Sequence, residues 1–288
     1  MTQAGLVVAG THSGCGKTSV ALGMMAALVD RGFRVQPFKV GPDFIDPGHH
    51  GRITGRQSFN LDGWMLSPEY NRELFFQKTR DADVAIVEGV MGLFDGFSGK
   101  EESGSTAQIA KWLDLPVLLV IDAKSMARSA AALAQGYCDF DPELYLNKVI
   151  FNRVGSEAHR EILQEAMHSL PQIEVVAHLP REEKIQIPSR HLGLVTQQEF
   201  KSDEQRINSL AQWIGENLSL DMLIKRFSLH QACFSETNPD PGKSINPSAL
   251  KGKTKKMRIA VARDEAFCFY YPDNLNFLQE LGAQIICF

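Results

Sequence analysis

The sequence has few cysteines, no long apolar run and no excess of one charge, and each absence excludes a class of protein. Its five cysteines are scattered without a C-x-x-C pair or metal-ligand spacing, so neither a disulfide framework nor a zinc site is expected. The longest apolar run, residues 116–121, is far short of the ~20 residues that a membrane helix needs. Thirty basic and 34 acidic side chains give a net charge of −4, which provides no general attraction to nucleic acid or anionic lipid. We therefore expect a cytoplasmic protein with no nucleic acid or membrane partner.

What is present is the composition of an ordinary folded protein, with 44% apolar and 22% charged residues over 288 positions. Short β-branched runs alternate with stretches of helical period, which is typical of an α/β fold with a mostly parallel sheet flanked by helices. The runs predicted as strands are residues 6–9, 35–40, 84–87, 117–122, 149–152 and 174–178. Helices are predicted at residues 18–31 and 106–113, with two more amphipathic pieces between 204 and 227.

A glycine-rich segment between the first predicted strand and helix is typical of a phosphate-binding loop (P-loop). Its sequence is GTHSGCGKT, so the spacing is G-x5-G-K-T, one residue longer than the usual pattern. The candidate nucleotide ligands are Gly10, Thr11, Ser13, Gly14, Cys15, Gly16, Lys17 and Thr18. Lys17 adds a positive charge that can follow a γ-phosphoryl group, and the Thr18 hydroxyl can bind Mg²⁺. We interpret Cys15 as a small loop residue rather than a nucleophile.

Carboxylates follow the next two predicted strands along the chain. Asp43 and Asp46 come after the second strand, and Glu88 and Asp95 come after the third. Acids in these positions of a P-loop protein commonly serve the metal, although Asp43, Asp46 and Asp95 could instead only cap or form turns. Lys39, at the end of the second strand, is a candidate second phosphate contact.

Polar side chains elsewhere give weaker signals. Asn152 closes the fifth strand and could pair with an adenine edge, or it could be a satisfied loop amide. Four of the eight histidines, His12, His49, His50 and His191, have no zinc-like spacing, and we interpret them as surface residues or as residues that support other ligands.

The predicted domain organisation has four segments. Residues 1–200 form a P-loop ATP-binding domain and 201–234 a helical extension. Residues 235–256 contain three prolines among polar residues and lysines, which is typical of a linker. Residues 257–288 are predicted as strand 257–262, helix 271–281 and strand 284–288, the start of a second α/β domain.

The motifs together resemble those of the cobyrinic acid a,c-diamide synthase family. Its members are P-loop amidoligases related to dethiobiotin synthetase. The segments that carry the resemblance are GTHSGCGKT (10–18), QPFKVGPD (36–43), EGVMGLFDG (88–96), NRV (152–154), RHLGL (190–194) and RIAVARDEAFCFYY (258–271). The resemblance implies amidation of the a and c carboxylates of cobyrinate in cobalamin biosynthesis. ATP and Mg²⁺ would form acyl phosphates, and ammonia would come from glutamine.

The resemblance also implies roles for individual residues. Lys17 and Thr18 would hold phosphates and metal, and Asp43 and Glu88 would complete the metal shell. The acids nearest the reacting carboxylate or ammonia would be Asp46 and Asp95. Candidate contacts to the substrate carboxylates are Arg52, Arg56 and Arg153.

The chain departs from the family at its C-terminal segment. The last of the segments that resemble it is similar to the start of a class I glutamine amidotransferase domain, which needs a cysteine at a strand-to-helix elbow and a later histidine. Residues 257–288 contain neither, since Cys268 is in the wrong place. We expect that this chain cannot hydrolyse glutamine alone and that it uses free ammonia, and its expected protein partners are a second copy of itself or a separate glutaminase chain.

Other functions stay open at this point. ATPase switches of the partitioning or nitrogenase-iron-protein type share the sheet and the loop, but they usually carry a lysine where this chain has His12. A dethiobiotin synthetase proper and a non-catalytic remnant are further alternatives. Within the family, these motifs do not separate cobyrinate from hydrogenobyrinate or nickel sirohydrochlorin.

Overall fold

A seven-stranded parallel sheet forms the centre of the protein, in the order β3-β2-β4-β1-β5-β6-β7. The computed structural model describes residues 4–182, 185, 197–228, 257–264, 267 and 269–288. The strands are β1 (Ala4–Gly10), β2 (Val35–Val40), β3 (Phe59–Leu61), β4 (Val84–Glu88), β5 (Val117–Asp122), β6 (Lys148–Val154) and β7 (Glu174–Pro180). Because β1 lies between β4 and β5, the loop that follows β1 opens at the middle of the sheet, where ligands bind in folds of this type.

Helices cover both faces of the sheet. They are α1 (Lys17–Asp30), α2 (Ile45–Thr54), α3 (Pro68–Thr79), α4 (Thr106–Trp112), α5 (Ser129–Phe140), α6 (Glu157–Met167), α7 (Gln197–Asn217) and α8 (Leu220–Arg226). Several begin at a serine whose hydroxyl accepts a hydrogen bond from a first-turn amide. Examples are Ser67 with Tyr70 at 3.2 Å and Ser105 with Gln108 at 3.0 Å. None of the described helices is long and apolar enough to cross a membrane.

Alternate residues of the central strands point into two separate apolar cores. Val7 and Ala9 of β1 pack on the side of α3, α4, α5 and α6, whereas Leu6 and Val8 pack on the side of α1, α7 and α8. β1 is buried along its whole length. This burial on both faces explains why the strands are continuous apolar runs rather than alternating ones.

The predicted fold class is confirmed, and the elements differ from the prediction mainly in their limits. All the predicted strands of the sheet are present, but β3 is an additional strand of only three residues. Between 204 and 227 two helices occur as predicted, although α7 already starts at Gln197. The predicted linker (235–256), the segment 190–194, His191 and Cys268 lie outside the described residues.

The C-terminal part forms a small parallel βαβ unit, with β8 (Arg258–Val261), α9 (Pro272–Glu280) and β9 (Gln284–Cys287). These elements agree with the prediction for the segment, and its assignment to a glutaminase-like domain stays a prediction. The unit contacts the larger sheet domain through an aromatic stack. Phe44 lies 4.7 Å from Tyr271 and 5.5 Å from Phe269 between ring centroids, and the Tyr70 hydroxyl donates to Asp273.

Candidate functional site

The glycine-rich loop lies between the end of β1 and the first turn of α1. Gly14 and Gly16 have positive φ angles of 84° and 100°, in the left-handed region that favours glycine. The Gly10 carbonyl accepts a hydrogen bond of 2.8 Å from the Leu93 amide, which joins the loop to the segment after β4. The loop is therefore positioned at the N-terminus of α1, where backbone N–H groups can bind phosphate.

Asn152, near the end of β6, contacts this loop through its side-chain amide. Its Nδ2 donates to the Cys15 carbonyl at 2.9 Å, and its Oδ1 accepts from the Arg153 amide at 2.9 Å. A β-carbon at Gly16 would lie 2.1 Å from Nδ2. The observed amide contacts match the reading of Asn152 as a satisfied loop amide, and the contact with adenine stays a prediction.

Two further side chains, Arg153 and Tyr137, donate hydrogen bonds to carbonyl groups of the loop. Arg153 donates to the Gly14 carbonyl at 2.8 Å and pairs with Asp122. The Tyr137 hydroxyl donates to the Thr11 carbonyl at 2.5 Å. These contacts fix the loop before any nucleotide is bound, so less ordering is needed on binding.

Lys17 and Cys15 differ in what they can offer to a ligand. Lys17 is only 8% exposed and has no hydrogen bond or ion pair with any described residue, so its ammonium is available for a phosphate. Cys15 is fully buried, and a β-carbon at Gly10 would lie 2.3 Å from its Sγ. This packing agrees with the interpretation of Cys15 as a small loop residue.

Lys39 lies at the centre of the acidic side chains that follow β2 and β4. Its Nζ is 2.5 Å from Asp46 Oδ2, 3.2 Å from Glu88 Oε1 and 3.7 Å from Asp43 Oδ2. It also donates to the Gly89 carbonyl at 3.1 Å. Lys39, Asp43, Asp46 and Glu88 thus lie together in the structure, whereas the contact of Lys39 with a phosphate stays a prediction.

Burial and charge shift the pKa values in this cluster. Burial is the main reason that the pKa of Asp46 rises to about 7, and repulsion from Glu88 adds to it. For Glu88, burial alone would raise the pKa, but the attraction of Lys39 and a hydrogen bond from His50 lower it below its usual range. For Lys39, burial opposes the charged form, and the attraction of Glu88 and Asp46 outweighs it, so its pKa is raised. Glu88 and Lys39 are therefore a buried, charged pair.

Glu88 joins the cluster to the phosphate loop. The Thr18 hydroxyl donates to Glu88 Oε1 at 2.5 Å, and His50 Nε2 lies 2.7 Å from Glu88 Oε2. Both His50 and Glu88 are fully buried. The sequence predicts His50 only as a surface residue or a residue that supports other ligands, because burial of a helical histidine leaves no local signal in its spacing.

Asp43 and Asp95 also hold their own turns, as the alternative interpretation expected. Asp43 Oδ1 accepts from the amides of Ile45 at 2.8 Å and Asp46 at 3.2 Å, and so caps the start of α2. Asp95 Oδ2 accepts from the Gly92 amide at 2.9 Å. Asp43 Oδ2 is directed toward Lys39, so capping leaves one of its oxygens for the cluster.

The oxygen atoms around Thr18 and Glu88 fit Mg²⁺ held together with a nucleotide. A hydroxyl and carboxylates are the hard ligands that Mg²⁺ prefers, and Mg²⁺ commonly takes only one or two protein ligands beside phosphates and water. In the described part of the chain, no group of three or more His, Cys, Asp or Glu side chains has the arrangement of a self-sufficient metal site. The residues thus suit a metal that arrives with its phosphates.

One of the candidate substrate contacts is wrong. Arg56 donates to Gln36 Oε1 at 2.9 Å and to Asp81 Oδ1 at 2.6 Å, near the starts of β2 and β4. It therefore lies at the opposite edge of the sheet from the phosphate loop. Arg153 lies at the loop, and Arg52 is exposed on α2; their contacts with a substrate stay predictions.

The comparisons with known proteins agree with this geometry. The family described as "CobQ/CobB/MinD/ParA nucleotide binding domain" matches residues 6–195. Among curated relatives, proteins named cobyrinate a,c-diamide synthase are similar along nearly the whole chain. The one from Syntrophotalea carbinolica is 46% identical over 98% of this chain and 60% of its own length. The one from Priestia megaterium is 41% identical over 100% of this chain and 60% of its own.

The chain thus spans about 60% of the length of these relatives. Among solved structures, chloroplast FtsY from Physcomitrella patens is 16% identical with a TM-score of 0.47, covering 73% of this chain and 66% of that one. A likeness of this size carries no conclusion about the site.

Proposed function

The chain belongs to the family of CobQ/CobB/MinD/ParA nucleotide-binding domains, and from this membership and the site we propose that it is an ATP-dependent amidoligase acting on cobyrinate. The observation that carries the proposal is the buried Lys39–Glu88 pair, which is joined to the phosphate loop through Thr18. A switch that only hydrolyses nucleotide has no evident need for the additional acids Asp43 and Asp46 around that lysine. The names of the relatives support the choice of substrate.

The proposed reaction converts a carboxylate, a poor electrophile, into an amide in two steps. A carboxylate oxygen of the substrate attacks the γ-phosphorus of ATP, forming an acyl phosphate and releasing ADP. Ammonia then attacks the acyl carbon and inorganic phosphate leaves. Lys17 would stabilise the negative charge of the transferring phosphoryl group, because its buried ammonium has no partner in the described part of the chain.

The acids in the site would divide into two roles. Glu88, Asp43 and the Thr18 hydroxyl would hold Mg²⁺, which when bound neutralises charge on the β- and γ-phosphates. Asp46 and Asp95 would lie near the reacting groups and accept the proton that ammonium must lose before it can attack. Asp46 is suited to this because its side chain is 18% exposed, whereas Glu88 is fully enclosed.

A flat tetrapyrrole needs an apolar surface beside the acids, and an exposed aromatic pair supplies one. Trp64 and Phe97 stack at 4.2 Å between centroids, and they are 59% and 72% exposed. Trp64 follows β3, and Phe97 follows Asp95 after β4, so both lie at the edge of the sheet that carries the phosphate loop. We assign the macrocycle to this surface, which agrees with the known preference of aromatic side chains for flat rings.

The nitrogen source is proposed to be ammonia supplied from outside the described residues. In the longer relatives the remaining 40% or so of the length would hold the glutaminase, since the chain covers about 60% of them. A separate glutaminase chain would serve this chain in the same way.

The test is to incubate the purified chain with ATP, Mg²⁺, ammonium and either cobyrinate, hydrogenobyrinate or nickel sirohydrochlorin, and to follow ADP release and product mass. We expect ADP release stimulated by cobyrinate and products lighter by one mass unit per amide formed. Glutamine in place of ammonium should give no turnover. Stimulation only by DNA, lipid or a partner protein would contradict the proposal and favour an ATPase switch.

Single substitutions separate the parts of the site. Lys17→Ala should abolish ADP release, because it removes the buried charge at the γ-phosphoryl position. Trp64→Ala should raise the KM for cobyrinate about fivefold or more while ATP binding stays unchanged, since stacking on one aromatic ring contributes about 1 kcal/mol or more. Equal loss of ATP binding in Trp64→Ala would contradict the assignment of the macrocycle surface.

A further inference from the structure

His50 forms a fully buried contact on the side of Glu88 that faces away from the phosphate loop. Its Nε2 lies 2.7 Å from Glu88 Oε2, and its Nδ1 lies 3.0 Å from Ser58 Oγ. His50 and Glu88 are both 0% exposed, and Ser58 is buried as well. Burying three polar side chains costs free energy unless each one is hydrogen-bonded. The observed pairing satisfies all three and so favours this one arrangement of the side chains.

The chemistry of the partners sets the direction of these hydrogen bonds. An ionised carboxylate only accepts, so the proton between His50 and Glu88 is carried by Nε2. In the neutral imidazole Nδ1 is then an acceptor, and the Ser58 hydroxyl can donate to it. Glu88 thereby sets the tautomer of His50, and Ser58 satisfies and orients Nδ1 in that tautomer.

The two oxygens of Glu88 are consequently unequal. Oε2 is bound by His50, while Oε1 accepts from the Thr18 hydroxyl at 2.5 Å and from Lys39 at 3.2 Å. Rotation of the carboxylate would break the contact with His50 inside a region closed to water. Only Oε1 is therefore presented to the loop, and the carboxylate cannot offer both oxygens to one ion without losing His50.

We propose that His50, oriented by Ser58, is a positioning residue that makes Glu88 a one-oxygen ligand and so favours Mg²⁺ over larger divalent cations. The inference rests on the proposed metal role of Glu88. Mg²⁺ requires near-octahedral geometry with single oxygens at short distance, whereas Ca²⁺ accepts bidentate carboxylates at longer distance. Residues that hold a metal ligand through its other atom typically change metal affinity by 10–100-fold when removed.

The test measures binding rather than turnover, with a nonhydrolysable ATP analogue titrated calorimetrically in the presence of Mg²⁺, Ca²⁺ or a chelator. The variants are His50→Leu, Ser58→Ala and His50→Gln, with Glu88→Gln as the reference. We expect His50→Leu to weaken Mg²⁺-supported binding by about 10–100-fold and Ca²⁺-supported binding much less. Ser58→Ala should lie between wild type and His50→Leu, and the amide of His50→Gln should restore part of the preference by donating to Oε2.

The outcomes separate this inference from the proposed function. If Glu88→Gln lowers Mg²⁺-supported binding and His50→Leu leaves the Mg²⁺/Ca²⁺ ratio unchanged, the inference is wrong and the metal role of Glu88 stands. If Glu88→Gln has no effect on either cation, the metal role itself fails and the inference fails with it. If His50→Leu weakens binding of the ATP analogue equally with Mg²⁺, with Ca²⁺ and with chelator, His50 only supports the fold. If His50→Leu does not fold, the ratio of Mg²⁺-supported to Ca²⁺-supported binding can still be measured with Ser58→Ala and His50→Gln.

The double variant His50→Leu/Glu88→Gln provides an internal control. If His50 acts only through Glu88, its removal should change Mg²⁺-supported binding little once Glu88 has been replaced. Additive losses in the double variant would contradict a role through Glu88.

Discussion

Gly16 is the residue whose replacement should damage the phosphate loop most directly. Its φ of 100° disfavours any side chain, and a β-carbon there would lie 2.1 Å from Asn152 Nδ2. Gly16→Ala therefore has to displace the amide that holds the Cys15 carbonyl. We expect loss of ATP binding in calorimetry, with affinity reduced by at least about 100-fold, the equivalent of about 2.7 kcal/mol.

Gly14 offers a matched control in the same loop. Its φ of 84° is also left-handed, but nothing lies within 4 Å of a β-carbon placed there. Gly14→Ala should cost only the backbone strain of about 1–2 kcal/mol, with a correspondingly smaller loss of affinity. Equal losses in the two variants would show that backbone strain, and not the contact with Asn152, decides the effect.

For single residues, the sequence predicts candidates for the site but not the contacts that they make. The Gly-Lys-Thr motif and the acids near the ends of β2 and β4 are recognisable because each lies at a strand end or within a few residues after one. The contact of Asn152 with the loop, the Tyr137 hydrogen bond and the partnership of His50 with Glu88 join positions 38 to 137 residues apart. Contacts over such separations depend on the packing of the whole sheet, and no local spacing encodes them.

Helices α1 and α7 pack closely together at a glycine. A β-carbon at Gly23 of α1 would lie 2.6 Å from Ile214 Cγ1 and 3.1 Å from the Leu210 carbonyl oxygen of α7. Gly23→Ala gains helix propensity of up to about 1 kcal/mol, but it forces the packed faces of α1 and α7 apart, which costs about 1–3 kcal/mol. We expect a net loss of stability in urea unfolding.

Gly215 of α7 is the control for this prediction. It is exposed, and nothing lies within 4 Å of a β-carbon there. Gly215→Ala should stabilise the protein by up to about 1 kcal/mol, because only the propensity changes. If Gly23→Ala stabilised the protein as Gly215→Ala does, the close approach of α1 and α7 would not exist in solution.

The elements themselves were largely predictable, for a physical reason. Strands buried on both faces must be apolar along their length, as in β5, so they stand out in the sequence. β3 escaped the prediction because three residues, one of them Asn60, form too short a run. Its place is set by pairing with β2 and by Asn60, which donates to the Gly41 and Asp43 carbonyls at 2.8 and 2.7 Å.

At the scale of the whole molecule, stability should depend on pH through the pair that joins the start of β2 to β4. Hydrogen bonds from the Arg34 side chain and backbone lower the pKa of Asp83 from 3.8 to about 2. A carboxyl whose folded pKa is depressed stabilises the protein above its unfolded pKa, and this contribution is lost as the pH falls from about 4 to 2.

The difference between wild type and Asp83→Asn in urea unfolding should therefore be present at pH 7 and should vanish toward pH 2. Its size should be below about 1 kcal/mol, because Arg34 is mostly exposed and the pair is screened by solvent. In an Arg34→Gln background, Asp83→Asn should have little further effect at either pH. A difference that grew as the pH fell would contradict the assigned sign.

The C-terminal βαβ unit is connected to the site through Phe44, which lies between the acids Asp43 and Asp46. A two-stranded unit has too little core to be stable alone, and all of α9 lacks fully buried residues. The folded conformation of the βαβ unit should therefore depend on the stack of Phe44 with Tyr271 and Phe269. Because Phe44 belongs to the loop that carries the acids, release of the unit should also loosen that loop.

Tyr271→Ala tests this coupling by hydrogen–deuterium exchange. We expect faster exchange in β8 and β9 and also at the amides of residues 45 and 46, which are bonded to Asp43. The control is Phe288→Ala, since this side chain is 77% exposed and its loss removes apolar area without touching Phe44. Faster exchange in the β8–β9 unit alone would mean that the unit rests on the acidic loop without stabilising it, whereas unchanged exchange everywhere would show that the stack does not hold the unit.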